Sequence, residues 1–108
     1  MRSAVSLLED LLIRLSRNYA FLYRAVDSAG RALAKQPYES FLEPGVELSF
    51  SEMVDGTAVR FAVDVYRADS DGTLWVHVHA DSTLATPLRM RPSFVFRKLT
   101  DGTAYIVR

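Results

Sequence analysis

The sequence predicts an α+β domain of two layers, an N-terminal helical segment packed on a curved antiparallel sheet of about five strands. Three observations lead there. Apolar residues recur at three- and four-residue steps over residues 4–35, the period changes to two from Val46 onward, and Asp-Gly turn signals punctuate the second part at Asp55-Gly56, Asp71-Gly72 and Asp101-Gly102. The chain is 108 residues long with 49% hydrophobic and 24% charged residues, which suits one domain spanning 1–108 with a modest core and excludes a disordered or low-complexity chain.

The helical segment is carried by Leu8, Leu11, Leu12, Leu15, Tyr19, Leu22, Val26, Ala29 and Leu33, which fall on one stripe at 100° per residue and are expected to face the core. Arg17, Arg24, Arg31 and Lys35 line the other side. Ser3 or Ser6 is positioned to cap the start, with Glu9 three residues after Ser6 as in a capping box, and Glu9 and Asp10 are placed to favour the helix dipole. Gln36-Pro37 ends the segment, since proline excludes helical geometry from the residue before it. A straight helix over this stretch would run about 48 Å, whereas a nine-residue strand spans about 30 Å. The helix therefore either breaks, near Ser16–Asn18 or at Gly30, or leaves one end projecting against another subunit. Ile13 and Phe21 lie off the stripe and are the candidate helix-interface residues.

Residues 37–45 contain two prolines and a glycine and read as a connection, with Tyr38, Phe41 and Leu42 folding back over the core edge. Val46, Leu48 and Phe50 then alternate with polar residues up to the Asp55-Gly56 turn. The next strand sets Val59, Phe61, Val63 and Val65 against the core. A four-residue loop at 69–72 leads to Leu74, Val76, Val78 and Ala80 on the inner face and Trp75, His77 and His79 on the outer. Pattern alone selects the register. Pairing Phe50 with Phe61, Leu48 with Val63, Val65 with Val76 and Val63 with Val78 keeps the apolar set on one face, whereas a slip of one residue would reverse it. The same register sets Asp64 opposite His77 and Tyr66 opposite Trp75. Residues 81–92 form an irregular loop or a poor edge strand, and a last hairpin, 94–99 and 103–107, turns at Asp101-Gly102.

Charge and composition restrict the function classes. Residues 1–35 carry 6 basic and 3 acidic side chains, residues 36–81 carry 2 and 9, and residues 82–108 carry 5 and 1, so a formal net charge of zero conceals an acidic middle between basic ends. Such segregation suits self-association or docking onto a charged partner. Nucleic acid is not an expected partner, because a duplex-binding domain is markedly basic. The absence of cysteine (0 Cys) excludes a disulfide framework, a thiol nucleophile and cysteine-ligated metal centres. Ser6, Glu9, Asp10 and Arg14 interrupt the apolar stretch Val5–Leu15, so it reads neither as a signal peptide nor as a membrane span, and a cytoplasmic location is expected.

The constellation that bears on chemistry is the polar side of the sheet: Asp64, Tyr66, Trp75, His77 and His79, with Arg60 and Glu47 on adjacent strands. His77 and His79 are two apart on a strand, so both imidazoles point the same way, and a cross-strand carboxylate would fix the tautomer of His77. His77 as general base with Asp64 as its orienting partner is one reading, with Tyr66 and Trp75 as ligand-contacting walls. The His-x-His spacing also supplies two metal ligands, with Asp64 or Asp81 as a third. Chance readily produces that pattern in a chain rich in acids, so neither a metal nor another cofactor is expected. Tyr66 and Trp75 on a face away from the helix need cover, and Arg60, His79, Arg89 and Arg91 join them as candidate partner or ligand contacts. The function expected is a homodimeric interaction or accessory domain that binds a protein partner through the outer sheet face and the helix flank. The alternative is a small ligand-binding domain or enzyme built on His77 and Asp64.

Overall fold

A computed structural model describes residues 3–42, 48–67 and 70–107. One α-helix, α1 (Ala4–Ala34), precedes five strands: β1 (Leu48–Val54), β2 (Thr57–Arg67), β3 (Leu74–Asp81), β4 (Ser93–Lys98) and β5 (Ala104–Val107). All neighbours are antiparallel and the order is β1-β2-β3-β4-β5, a meander open at both edges. The α+β class is thus as the periodicity predicts. The positions Val46, Glu47 and Asp69 lie outside the described residues.

The helix does not break. It runs 31 residues with no proline inside, and Ser3 caps its start, the Ser3 Oγ accepting from the Ser6 N–H at 3.2 Å. Because the helix begins at Ala4, its first turn holds no acidic residue, and Glu9 and Asp10 fall a turn later than the dipole argument places them. Its last turn closes through Lys35 and Gln36 N–H bonds to Ala32 and Leu33 carbonyls, ahead of Pro37.

Only the second half of the apolar stripe meets the sheet. Leu22, Ala25, Val26, Ala29 and Gly30 are buried, packed over β3 and β4, while Leu8, Leu11 and Leu12 remain 43–56% exposed. The expectation that the whole stripe faces the core is therefore corrected, and the reason is length. A 31-residue helix spans about 46 Å and outruns the sheet beneath it. The Cα radius of gyration is 17.0 Å and the long axis 62 Å, against about 13 Å for a compact chain of this size. The excess is the projecting helical end.

The inner face of the sheet and the helix enclose Phe61, Val76, Val78, Phe94 and Phe96, with Tyr38 and Phe41 closing the end. A 3-10 turn (Tyr38–Phe41) delivers those two: Phe41 packs edge-on to Phe96 at 5.9 Å, and the Tyr38 hydroxyl donates to the Gly72 carbonyl. Leu42, expected alongside them, is instead 42% exposed, because the 3-10 turn ends at Phe41 and the chain leaves the core there.

Strand registers agree with the pattern argument: Phe50↔Phe61, Val63↔Val78, Val65↔Val76, Asp64↔His77 and Tyr66↔Trp75. The first turn places both Asp55 and Gly56 at positive φ (48° and 78°), the conformation that matches the twist of a tight hairpin. Residues 82–92 contain no strand; they fold as a loop with a 3-10 turn at Pro87–Arg89.

Candidate functional site

On the outer face, away from the helix, two adjacent cross-strand rows carry the chemistry. The first joins Tyr66 on β2, Trp75 on β3, Arg97 on β4 and Tyr105 on β5, in direct register. The Arg97 guanidinium lies 5.8 Å from the Trp75 ring and 5.6 Å from that of Tyr105, so one cation is held by two π-faces. Tyr66 and Tyr105 are half exposed at either end of the row. Trp75 Nε1 and Arg97 Nε are shielded from solvent and have no hydrogen-bond partner among the described residues.

Next to this row, β3 presents His77 and His79. Both belong to the third of five strands, laddered to β2 on one side and β4 on the other, so their Cα positions are fixed by hydrogen bonds on two sides. Alternation puts both imidazoles on the outer face, 5.4 Å apart between ring centroids. Asp64 sits opposite His77 in the register, yet its carboxylate leans along the strand. Its Oδ2 lies 3.9 Å from Nδ1 of His79, a separation too long for a hydrogen bond. The residue opposite His79 is Ala62, whose small side chain leaves the space the carboxylate enters. His79 Nδ1 itself is shielded and has no hydrogen-bond partner among the described residues. One donor atom from each of Asp64, His77 and His79 lies within 4.8 Å of the others.

The remaining sequence candidates fall elsewhere. Arg60 is exposed and pairs in register with Asp81, beyond His79 on the same face, which separates Asp81 from the three clustered side chains. Arg91 is occupied in holding its loop: its Nη1 donates to Thr86 Oγ1 at 2.7 Å and its Nη2 to the Ser82 carbonyl at 3.3 Å. Arg89 is exposed and follows Leu88, both at positive φ (56° and 50°). Ile13 lies exposed on the projecting half of α1, and Phe21 is partly buried against the core.

A cleft of about 220 Å³ opens between α1 and β5, lined by Tyr23, Asp27, Ser93, Phe94, Ile106 and Val107. Its lining includes neither His77 nor Asp64. The features that sequence reading missed are Arg97 and Tyr105, which the last hairpin brings into line with Trp75. The Asp101-Gly102 turn sets Tyr105 opposite Arg97, whereas the pairing of Arg97 with Trp75 depends on how the 82–92 loop returns β4 to β3.

No family model, no curated protein and no solved structure matches this chain. Among the described residues no helix is long and apolar enough to cross a membrane.

Proposed function

We propose that this protein is a self-associating interaction module: two copies pair through the projecting halves of α1 and present the Tyr66–Trp75–Arg97–Tyr105 row to a protein partner. The observation that carries this reading is the uncovered half of a single apolar stripe. Leu8, Leu11 and Leu12 continue the line of Leu22, Val26 and Ala29, yet among the described residues they remain 43–56% exposed.

A second copy is the occupant that matches. The stripe is self-complementary, and its own sheet already occupies the space over the second half of the helix. Parallel pairing would drive the partner helix into that sheet, since both would lie on the same side of α1. Antiparallel pairing about Leu11 and Leu12 avoids the collision and sets Leu8 against the partner's Leu15. Half-exposed apolar residues from both copies would bury on the order of 1,000 Å², at the lower bound for a specific interface. The loop at the root of the projection adds to it. Asn18 Nδ2 donates to the Ala85 carbonyl at 2.8 Å, tying that loop to α1, and the nearby Leu88 is 95% exposed. The tip of an antiparallel partner reaches this region.

Light scattering behind size exclusion tests the reading on three proteins: wild type, Leu11→Glu with Leu12→Glu, and Tyr66→Ala with Trp75→Ala. The expected result is a dimer for the first and third and a folded monomer for the second. A wild type that stays monomeric at all concentrations overturns self-association. A monomer from the aromatic variant alone would move the interface to the sheet.

A further inference from the structure

We infer that Asp64, His77 and His79 form a three-ligand site for a zinc ion on the outer face of the sheet. This goes beyond the self-association reading and does not depend on it. The donor set is two imidazole nitrogens and one carboxylate oxygen, the combination that suits zinc rather than calcium or magnesium, which take oxygen ligands almost exclusively.

The geometry supports a shared ion. Two donors bound to tetrahedral zinc at about 2.0–2.1 Å each stand about 3.4 Å apart. The 3.9 Å between His79 Nδ1 and Asp64 Oδ2 exceeds a hydrogen bond and lies within about half an ångström of that span. All three donors fall within 4.8 Å of one another, so closure on an ion needs a shift of roughly an ångström, within reach of side-chain rotation. The Asp64 side chain is 67% exposed and has room to make that movement. The two histidines need not move their backbones, since β3 is laddered on both sides.

An ion also answers the state of His79 Nδ1, which is shielded from solvent without a hydrogen-bond partner among the described residues. A nitrogen so placed loses its hydration without gaining a partner, and coordination would supply one. Three protein ligands leave a fourth position open to water or to an anionic group. Two neutral imidazoles and one carboxylate leave a bound zinc ion with a net positive charge. Arg97, in the adjacent row, adds a second cation to that surface.

Titration calorimetry of the full chain with zinc chloride tests the site, with cobalt(II) as an optical reporter of coordination. The expected result is one ion per chain, at least tenfold weaker binding for His77→Ala and for His79→Ala, weaker binding for Asp64→Asn, and four-coordinate cobalt bands that these changes abolish. Asp64→Asn alters only an exposed carboxylate, so it keeps the test informative if a histidine variant misfolds. Absence of saturable binding by the wild type overturns the site. So does binding that survives in all three variants, or a stoichiometry of one ion per two chains.

Discussion

Gly30 lies directly against the ring of Phe94: a Cβ built on it would stand 2.2 Å from Cδ1 and 2.3 Å from Cγ. No ordinary contact is that short, and the clash falls on the base of the ring rather than on a mobile tip. The missing side chain is what allows α1 to approach β4 closely. Helix propensity alone favours alanine at this position by about 1 kcal/mol. Overpacking a filled core typically costs about 1–3 kcal/mol, and this overlap belongs at the upper end. Gly30→Ala is expected to destabilise the fold by about 1–2 kcal/mol net, measured by urea unfolding. Adding Phe94→Leu should recover part of the loss by making room. A neutral or stabilising Gly30→Ala would show that the helix stands further from the sheet.

Lys98 is 2% exposed on the inner face, and its Nζ donates to the Ala34 carbonyl at 2.8 Å. It thereby satisfies an orphan carbonyl at the end of α1 with a positive charge, the favoured sign at a helix C-terminus. Its stem also fills core volume. Lys98→Ala removes both contributions and is expected to destabilise by about 2–4 kcal/mol. Lys98→Met keeps the stem and should recover more than half of that. Equal losses from the two variants would assign the effect to the ammonium bond instead of packing.

Leu88 combines 95% exposure with a φ of 50°, so a large apolar side chain is held out to solvent on left-handed backbone. That conformation costs a non-glycine residue about 1–2 kcal/mol, which asparagine tolerates better. In the Leu11→Glu, Leu12→Glu background, where self-association no longer contributes, Leu88→Asn is expected to raise stability by about 0.5–1 kcal/mol. In the otherwise wild-type chain the same change should weaken the dimer. If association is unaffected, Leu88 lies outside the interface.

Asp71 and Asp101 each accept the backbone N–H two residues on, from Thr73 at 2.9 Å and Thr103 at 2.8 Å. Those bonds favour the charged carboxylate and hold each group below its ordinary value of 3.8. A carboxylate depressed on folding contributes stability that is present above the ordinary value and is lost as pH falls through the folded one. Both groups are fully exposed, so the contribution is small. Melting temperature should therefore decline below about pH 4, and less steeply in Asp71→Asn with Asp101→Asn, which keeps an acceptor oxygen without a titrating charge. An unchanged acid limb would place the acid sensitivity at other carboxylates.

Alternation and turn chemistry made the sheet legible. Tight turns at Asp55-Gly56 and Asp101-Gly102 leave few registers, and keeping Val63, Val65, Val76 and Val78 on one face selects among them. Asp64 therefore stands opposite His77 on sequence grounds alone. The lean of its carboxylate toward His79 was not readable, because it depends on the free space beside Ala62 and on a rotamer choice. Lys98 is a similar case: a charged residue in an alternating strand reads as ordinary, and only the nearby end of α1 makes its burial favourable.

The sequence by itself determined a long N-terminal helix, hairpins with fixed registers and an outer face bearing Asp64, Tyr66, Trp75, His77 and His79. All of these follow from interactions between near neighbours, which periodicity and turn geometry record. The tertiary structure alone decided that α1 stays unbroken past Gly30, that its first half stands clear of the sheet, and that β4 and β5 continue the meander to align Arg97 and Tyr105 with Trp75. Those outcomes turn on how far one element extends relative to another and on which surfaces meet. An apolar stripe has the same pattern whether its own sheet or a second chain covers it.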